Sequence, residues 1–229
     1  MSLPECGPGG ETPSENCRDR ARDEVQKIKI SRTNPPRVII LTGTCRSGKS
    51  TLLFALLRSL RRELLKVAGI IADGLWENGM RSGFNLLDLK SGVFTPLCRR
   101  SADGESRGST PFVFFQEGLA AGEKALSIGN CSGADVVIVD EVGPLEIRGE
   151  GWAPYLSPLL SLEGPAHLWV VRHTCLEKVQ RKWGLEDAEI VDVKEPGAAR
   201  LLKNFCMGSG RTATGAVSEM PEKERIILI

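Results

Sequence analysis

Between residues 43 and 50 the chain carries the run Gly43-Thr44-Cys45-Arg46-Ser47-Gly48-Lys49-Ser50. This run fits the pattern G-x-x-x-x-G-K-[ST], which is the phosphate-binding loop or P-loop. An apolar run at 38–41 precedes it and predicts a buried strand, and a second at 51–57 predicts a buried helix. A strand before and a helix after is the context that this loop requires. The alternative is a glycine-rich turn that binds no ligand.

The chemistry of a phosphate site explains the residue types in this loop. Gly43 and Gly48 let the backbone turn tightly and approach an anion, and the loop amides and the helix N-terminus direct partial positive charge at phosphate oxygens. Lys49 is expected to reach the β- and γ-phosphates, and the Ser50 hydroxyl is expected to bind Mg²⁺. The predicted nucleotide-binding residues are Gly43, Thr44, Cys45, Arg46, Ser47, Gly48, Lys49, Ser50 and Thr51.

A pair of acids, Asp140-Glu141, ends a further mainly apolar run that begins at Ala134. Ligands of parallel α/β sheets bind beyond the carboxyl ends of the strands, so we expect this pair to reach the nucleotide held by the P-loop. Asp140 would then hold the magnesium ion, and Glu141 would orient or deprotonate the attacking water. The alternative is that both are solvated acids at a strand end.

The order of elements predicts an α/β fold with a mainly parallel P-loop sheet between helices. The runs expected to form its strands are 37–42, 67–72, 112–115, 134–141, 167–171 and 188–193. Helical patterns separate most of them, which is typical of a parallel sheet covered on both faces. Turn signals between residues 75 and 96 predict a small antiparallel β-hairpin excursion from the sheet. We expect a loosely ordered tail at 1–34, one P-loop domain at 35–206 and a C-terminal tail at 207–229.

The composition excludes several classes of partner. Thirty basic and 29 acidic residues give a net charge of +1, so we expect neither a nucleic-acid partner nor a membrane-anchoring basic patch. Seven scattered cysteines without a C-x-x-C pair fit neither a zinc site nor a small disulfide framework. Their odd number and the P-loop favour a reducing, cytoplasmic location, and the polar stretch 1–34 has no apolar core of a signal peptide. We expect a monomer or a weak homo-oligomer.

Two segments resemble one known family. The segment 139–146, V-D-E-V-G-P-L-E, resembles the V/I-D-E-I-G-x-M/L-E segment of the THEP1-type nucleoside-triphosphatases, also called cancer-related nucleoside-triphosphatases. The segment 78–84 is similar to their G-x-R-x-G-F element, and 97–99 to the L-A-R that follows it. The resemblance spans about residues 37–205. It implies a compact P-loop domain that slowly hydrolyses several nucleoside triphosphates with Mg²⁺. The chain departs from it in its N-terminal tail, the Ser- and Gly-rich loop after Arg100, its C-terminal segment and the P-loop interior.

Phosphoryl transfer also predicts an arginine near the γ-phosphate, because negative charge develops on its oxygens. The candidates are Arg46, Arg81, Arg99 and Arg172. Arg81 and Arg99 lie in the family-like segments and are therefore our predicted catalytic arginines, together with Lys49 and Glu141. Trp76 is a candidate for stacking on a base.

Three functions fit these features. The first is a Mg²⁺-dependent hydrolase that converts ATP, GTP and other nucleoside triphosphates to the diphosphate and phosphate. The second is a nucleotide or small-molecule kinase, which would need an acceptor pocket. The third is a binding module with little turnover, in which Glu141 would be dispensable.

Overall fold

The computed structural model describes residues 36–101 and 110–208. The tail predicted at 1–34, most of the loop after Arg100 and the C-terminal segment from 209 onward lie outside the described residues. The strands are β1 Val38–Gly43, β2 Val67–Glu77, β3 Met80–Asp88, β4 Phe94–Arg100, β5 Phe112–Phe114, β6 Val136–Val142, β7 Ala166–Arg172 and β8 Glu189–Asp192. The helices are α1 Lys49–Arg62, α2 Gln116–Ala125, α3 Ile128–Cys131, α4 Pro144–Ile147, α5 Ala153–Leu160, α6 Leu176–Trp183 and α7 Ala198–Met207, with a short 3₁₀ turn at His173–Cys175.

One sheet organises these elements, in the strand order β5-β4-β3-β2-β6-β7-β1-β8. The five strands from β2 to β8 in this order pair in parallel, and β2 to β5 pair antiparallel. The predicted α/β fold with an antiparallel portion is therefore confirmed.

The antiparallel portion is larger than the sequence predicted, and it is part of the main sheet. We expected a strand at 67–72 followed by a separate hairpin, but β2 is one 11-residue strand. Its first half pairs with β6 and its second half continues along β3, with partners from Ile70↔Asp88 to Glu77↔Met80. The strand stays extended because β3 supplies hydrogen-bonding partners beyond the point where pairing with β6 ends.

Both faces of the sheet are buried, as continuous apolar strands require. Every residue of β1 is buried, and its side chains alternate between two clusters. Ile39 and Leu41 pack with residues of α1 and α7, whereas Val38 and Ile40 share a cluster with residues of α2, α3, α5 and α6. This arrangement fixes the carboxyl ends of the strands along one edge. Among the described helices, none combines the length and apolar character needed to cross a bilayer.

Candidate active site

The two predicted constellations meet at the carboxyl edge of the sheet. Strand β7 lies between β1 and β6, and its end pairs with both: Gly43 is opposite Arg172, and Val142 is opposite Val171. Neighbouring strands are about 4.8 Å apart, so the P-loop and the acidic pair are separated by roughly 10 Å. That spacing leaves room for a terminal phosphate and a metal ion between them.

The P-loop is built to present backbone amides to an anion. Gly48 is the N-cap of α1 and has φ of 96°, a left-handed conformation that favours glycine. No side chain caps this helix, so its first amides are available to an anionic ligand. Residues 44–46 are exposed. The ammonium of Lys49 lies back over the loop and donates hydrogen bonds to the carbonyls of Gly43 (3.0 Å) and Thr44 (2.9 Å).

Asp140 is buried, with 3% of its surface exposed. Its carboxylate accepts hydrogen bonds from the backbone N–H groups of Ala72 (3.1 Å) and Glu141 (2.9 Å). Burial, and secondarily the charge of Glu141, raises the pKa of Asp140 to about 8, while the charge of Lys49 acts in the opposite direction. The P-loop lysine is therefore near enough for its charge to act on the buried acid.

Glu141 is the penultimate residue of β6, close to the strand end at which the sequence predicted it, but its position in the strand is irregular. The pairing of β6 with β7 shifts register between Val139 and Val142, and Glu141 has φ of 66°. Such bulges re-aim side chains, and a non-glycine residue at positive φ is typical of functional sites. The Glu141 carboxylate lies 3.9 Å from the guanidinium of Arg172, with both side chains partly exposed.

The predicted catalytic arginines are engaged elsewhere in the described structure. The guanidinium of Arg99 donates hydrogen bonds to the carbonyls of Phe84 and Cys98 and to the Asn85 side chain. That of Arg81 lies over the rings of Trp76 and Phe84, at 4.3 and 4.6 Å from their centroids. Their roles at a phosphate stay predictions.

Two further arginines lie at this edge of the sheet. Arg46 donates a 2.6 Å hydrogen bond to the carbonyl of Gly79 and lies 4.6 Å from the centre of the Trp76 ring, so the P-loop contacts the β2–β3 turn. Arg172 is the arginine that the fold places beside Glu141. Its position after the apolar run of β7 is the sequence signal that could have selected it, because that is where carboxyl-edge residues lie.

A groove of about 320 Å³ adjoins Glu141, and sequence reasoning did not predict it. It lies beside the antiparallel part of the sheet and near α2 and α4. The residues that line it include Phe84, Leu97, Phe112, Phe114, Leu119, Glu141, Leu145, Trp152 and Arg172.

The sequence matches a family model described as NTPase over residues 38–204. Nucleoside-triphosphatase THEP1 of Archaeoglobus fulgidus is 32% identical over 148 residues, which cover 63% of this chain and 85% of that protein. The THEP1 of Saccharolobus solfataricus is 31% identical over 110 residues, which cover 48% of this chain and 62% of that relative.

Two solved structures share the fold. The solution structure of a human cancer-related nucleoside triphosphatase has a TM-score of 0.59 and 22% identity, and the match covers 77% of this chain and 100% of that one. The crystal structure of THEP1 from Aquifex aeolicus has a TM-score of 0.52 and 16% identity, with 72% and 96% covered.

Proposed function

The chain belongs to the NTPase family, and from this premise we propose that it hydrolyses nucleoside triphosphates to the diphosphate and inorganic phosphate. One observation carries the proposal beyond the family name: the P-loop after β1 and the buried Asp140 in β6 lie at the same edge of the sheet, because both strands pair in parallel with β7. An anion-binding loop and an acidic pair at one edge of a sheet form a site for a metal-bound triphosphate.

Different residues at this edge bind the phosphates, activate the water molecule and stabilise the developing charge. The amides around Gly48 and the first turn of α1 bind the phosphates, and Lys49 exchanges its contacts with Gly43 and Thr44 for the β- and γ-phosphate oxygens. Glu141 orients a water molecule for attack on the γ-phosphorus and takes its proton. Arg172, which neighbours Glu141, offsets the negative charge that develops on the γ-phosphate oxygens.

Magnesium fits the oxygen donors at this edge. Ser50 offers a hydroxyl at the start of α1, and Asp140 offers a carboxyl group whose pKa is raised by burial and by the charge of Glu141. A bound cation would favour its ionised form. Hard oxygen donors that leave room for water and phosphate ligands are the set that Mg²⁺ prefers. When bound, the ion would supply charge neutralisation at the β- and γ-phosphates.

A cytoplasmic location belongs to the same proposal. Within the described residues the cysteines at 45, 98, 131, 175 and 206 are free thiols. Burial raises the pKa of Cys98 and Cys131 to about 11, which keeps those thiols protonated and unreactive. Free thiols persist in a reducing compartment.

The test is phosphate release from ATP, GTP, CTP and UTP, with Mg²⁺ or with a chelator, by the wild type and by Glu141→Gln. We expect release that requires Mg²⁺, with turnover lost and nucleotide binding kept in Glu141→Gln. Glu163→Gln, which changes an exposed acid away from this edge, is the matched control and should behave as wild type. Tight nucleotide binding with negligible release, unaffected by Glu141→Gln, would instead identify a binding module.

A further inference from the structure

The groove beside Glu141 has a floor made by one face of the antiparallel strands. Gly74, Phe84, Cys98 and Phe114 are opposite one another across β2 to β5. Residues paired in this way share a face of the sheet. Leu119 of α2 and the segment from α4 to Trp152 contribute further lining. The antiparallel extension of the sheet therefore builds a cavity that a minimal parallel P-loop domain would lack.

The lining suits a flat, uncharged ring. Phe84 and Phe112 meet edge to face with ring centroids 5.5 Å apart, and the buried Trp152 adds a third aromatic surface. The volume of about 320 Å³ falls in the range of small-molecule sites, about 300–1,000 Å³. The charged residues that line the groove are two acids and two arginines, Glu141, Glu146, Arg148 and Arg172. The two signs balance, so the lining leaves little net charge to attract an ion.

Hydrolysis of a triphosphate by water does not require an apolar groove of this size. In the binding mode proposed above, the γ-phosphate lies nearest Glu141, so the sugar and base of the triphosphate extend away from it. Attack by water needs a carboxylate and space for one water molecule, whereas this groove offers an apolar cavity far larger than a water molecule. An apolar volume on the attacking side of the γ-phosphate fits a second organic molecule.

We propose that the groove binds an uncharged alcohol bearing an aromatic or heteroaromatic ring, which accepts the γ-phosphoryl group in place of water. This inference rests on the proposed hydrolysis, because it uses the same triphosphate and the same base. The ring lies among Phe84, Phe112 and Trp152, and the hydroxyl faces Glu141. The hydroxyl oxygen forms a bond to the γ-phosphorus, the bond from phosphorus to the β,γ-bridging oxygen breaks, and the hydroxyl proton passes to Glu141. The products are a phosphate monoester and a nucleoside diphosphate.

The experiment supplies GTP labelled on the γ-phosphate together with adenosine, thymidine or pyridoxine, and separates the labelled monoester from labelled inorganic phosphate. We expect a monoester from at least one of the three alcohols. Leu119→Trp, which fills the groove, should lower the ratio of monoester to phosphate by about tenfold or more, as steric exclusion from an apolar pocket predicts. Val113→Trp is the matched control and should leave this ratio unchanged, because Val113 lies between Phe112 and Phe114 in β5 and points to the opposite face.

Saturation-transfer NMR of the wild type, with a non-hydrolysable GTP analogue bound, tests occupancy without relying on a variant. Ring protons of the accepted alcohol should receive magnetisation from the protein. Phosphate release without any monoester, or a ratio in Leu119→Trp equal to that of the wild type, overturns the acceptor site and leaves the hydrolase standing. Absence of both labelled products overturns the hydrolase and, with it, this inference.

Discussion

The guanidinium of Arg172 lies 3.9 Å from the carboxylate of Glu141, at the ends of two neighbouring parallel strands. Both side chains are partly exposed, at 58% and 38%, and exposed ion pairs contribute little to folding stability. We propose that the pair instead acts in phosphate chemistry at this edge of the sheet. Arg172 can orient Glu141 before the nucleotide binds and contact the γ-phosphate afterwards.

We expect Arg172→Ala to lower turnover by about two orders of magnitude, the usual effect of removing one group that stabilises transition-state charge. The melting temperature should stay close to that of the wild type because the ion pair is exposed. Steady-state phosphate release and thermal denaturation check both statements. Arg172→Lys should recover part of the rate, since it keeps the charge and loses the planar fork. A lowered melting temperature with unchanged turnover would contradict the role.

For Arg99 we expect substitution to lower the stability of the fold, in contrast to Arg172, although the sequence predicted Arg99 as catalytic. Its guanidinium donates to two backbone carbonyls and one side-chain oxygen within β3 and β4. Hydrogen bonds from charged groups are worth about 1.5–3 kcal/mol. Arg99→Ala should therefore lower the free energy of unfolding by an amount of that order, which urea denaturation measures. Lost turnover with unchanged stability would support the catalytic role instead.

Lys49→Ala should abolish measurable turnover and weaken nucleotide binding, because it removes the charge that neutralises the β- and γ-phosphates. Phosphate release and titration with a fluorescent nucleotide measure the two effects. Lys178→Ala, which changes an exposed lysine of α6, is the matched control. Wild-type affinity in Lys49→Ala would place the phosphates away from the P-loop.

Local patterns were sufficient for the fold and for the edge of the sheet at which the candidate site lies. The P-loop spacing and the apolar runs around it predicted β1, α1 and the burial of both sheet faces. The rule that ligands bind at the carboxyl ends of parallel strands predicted that the P-loop and Asp140 would lie at one edge of the sheet, and the pairing of β1 and β6 with β7 places them there.

The remaining features depend on tertiary geometry that no local pattern encodes. The proximity of Glu141 to Arg172 involves a register shift inside β6 and pairing with β7. The hydrogen bonds of the Arg99 guanidinium to β3 and β4 depend on how these two strands align. The groove combines residues of the six strands β2 to β7 with residues of α2 and α4 and with Trp152. These residues are far apart in the sequence, so no local pattern indicates that they line one cavity.

The contact of Arg46 with Trp76 predicts coupling between the P-loop and the β2–β3 hairpin. Cation–π pairs at exposed sites contribute about 0.5–1 kcal/mol. A double-mutant cycle of Arg46→Ala and Trp76→Ala, measured by urea denaturation, should return a coupling energy of about that size. The same cycle measured as nucleotide affinity should also be non-additive, since the hairpin contact holds a residue of the loop at positive φ. Additive changes in both measurements would show that the contact has no energetic role.

The burial of Glu146 predicts that the stability of the fold depends on pH. It is 3% exposed, and its two carboxylate oxygens accept hydrogen bonds from the N–H groups of Gly143 (2.8 Å) and Trp152 (3.2 Å). Burial raises the pKa of Glu146 above its ordinary 4.5. Between the ordinary pKa and the raised one, the folded state binds more protons than the unfolded state. The contribution of Glu146 to the free energy of unfolding therefore decreases as the pH rises through this interval.

Glu146→Gln removes this dependence, because the amide does not titrate. It also leaves one of the two N–H groups facing an amide nitrogen, which costs about 1–3 kcal/mol. We expect the variant to be less stable than the wild type at about pH 5, with the difference narrowing as the pH rises toward neutrality. Urea denaturation of both proteins across this pH range measures the difference between their free energies of unfolding. Glu163→Gln is the control for loss of an exposed charge. A gap that stays constant or widens with pH would mean that Glu146 titrates no higher in the folded protein than in the unfolded chain.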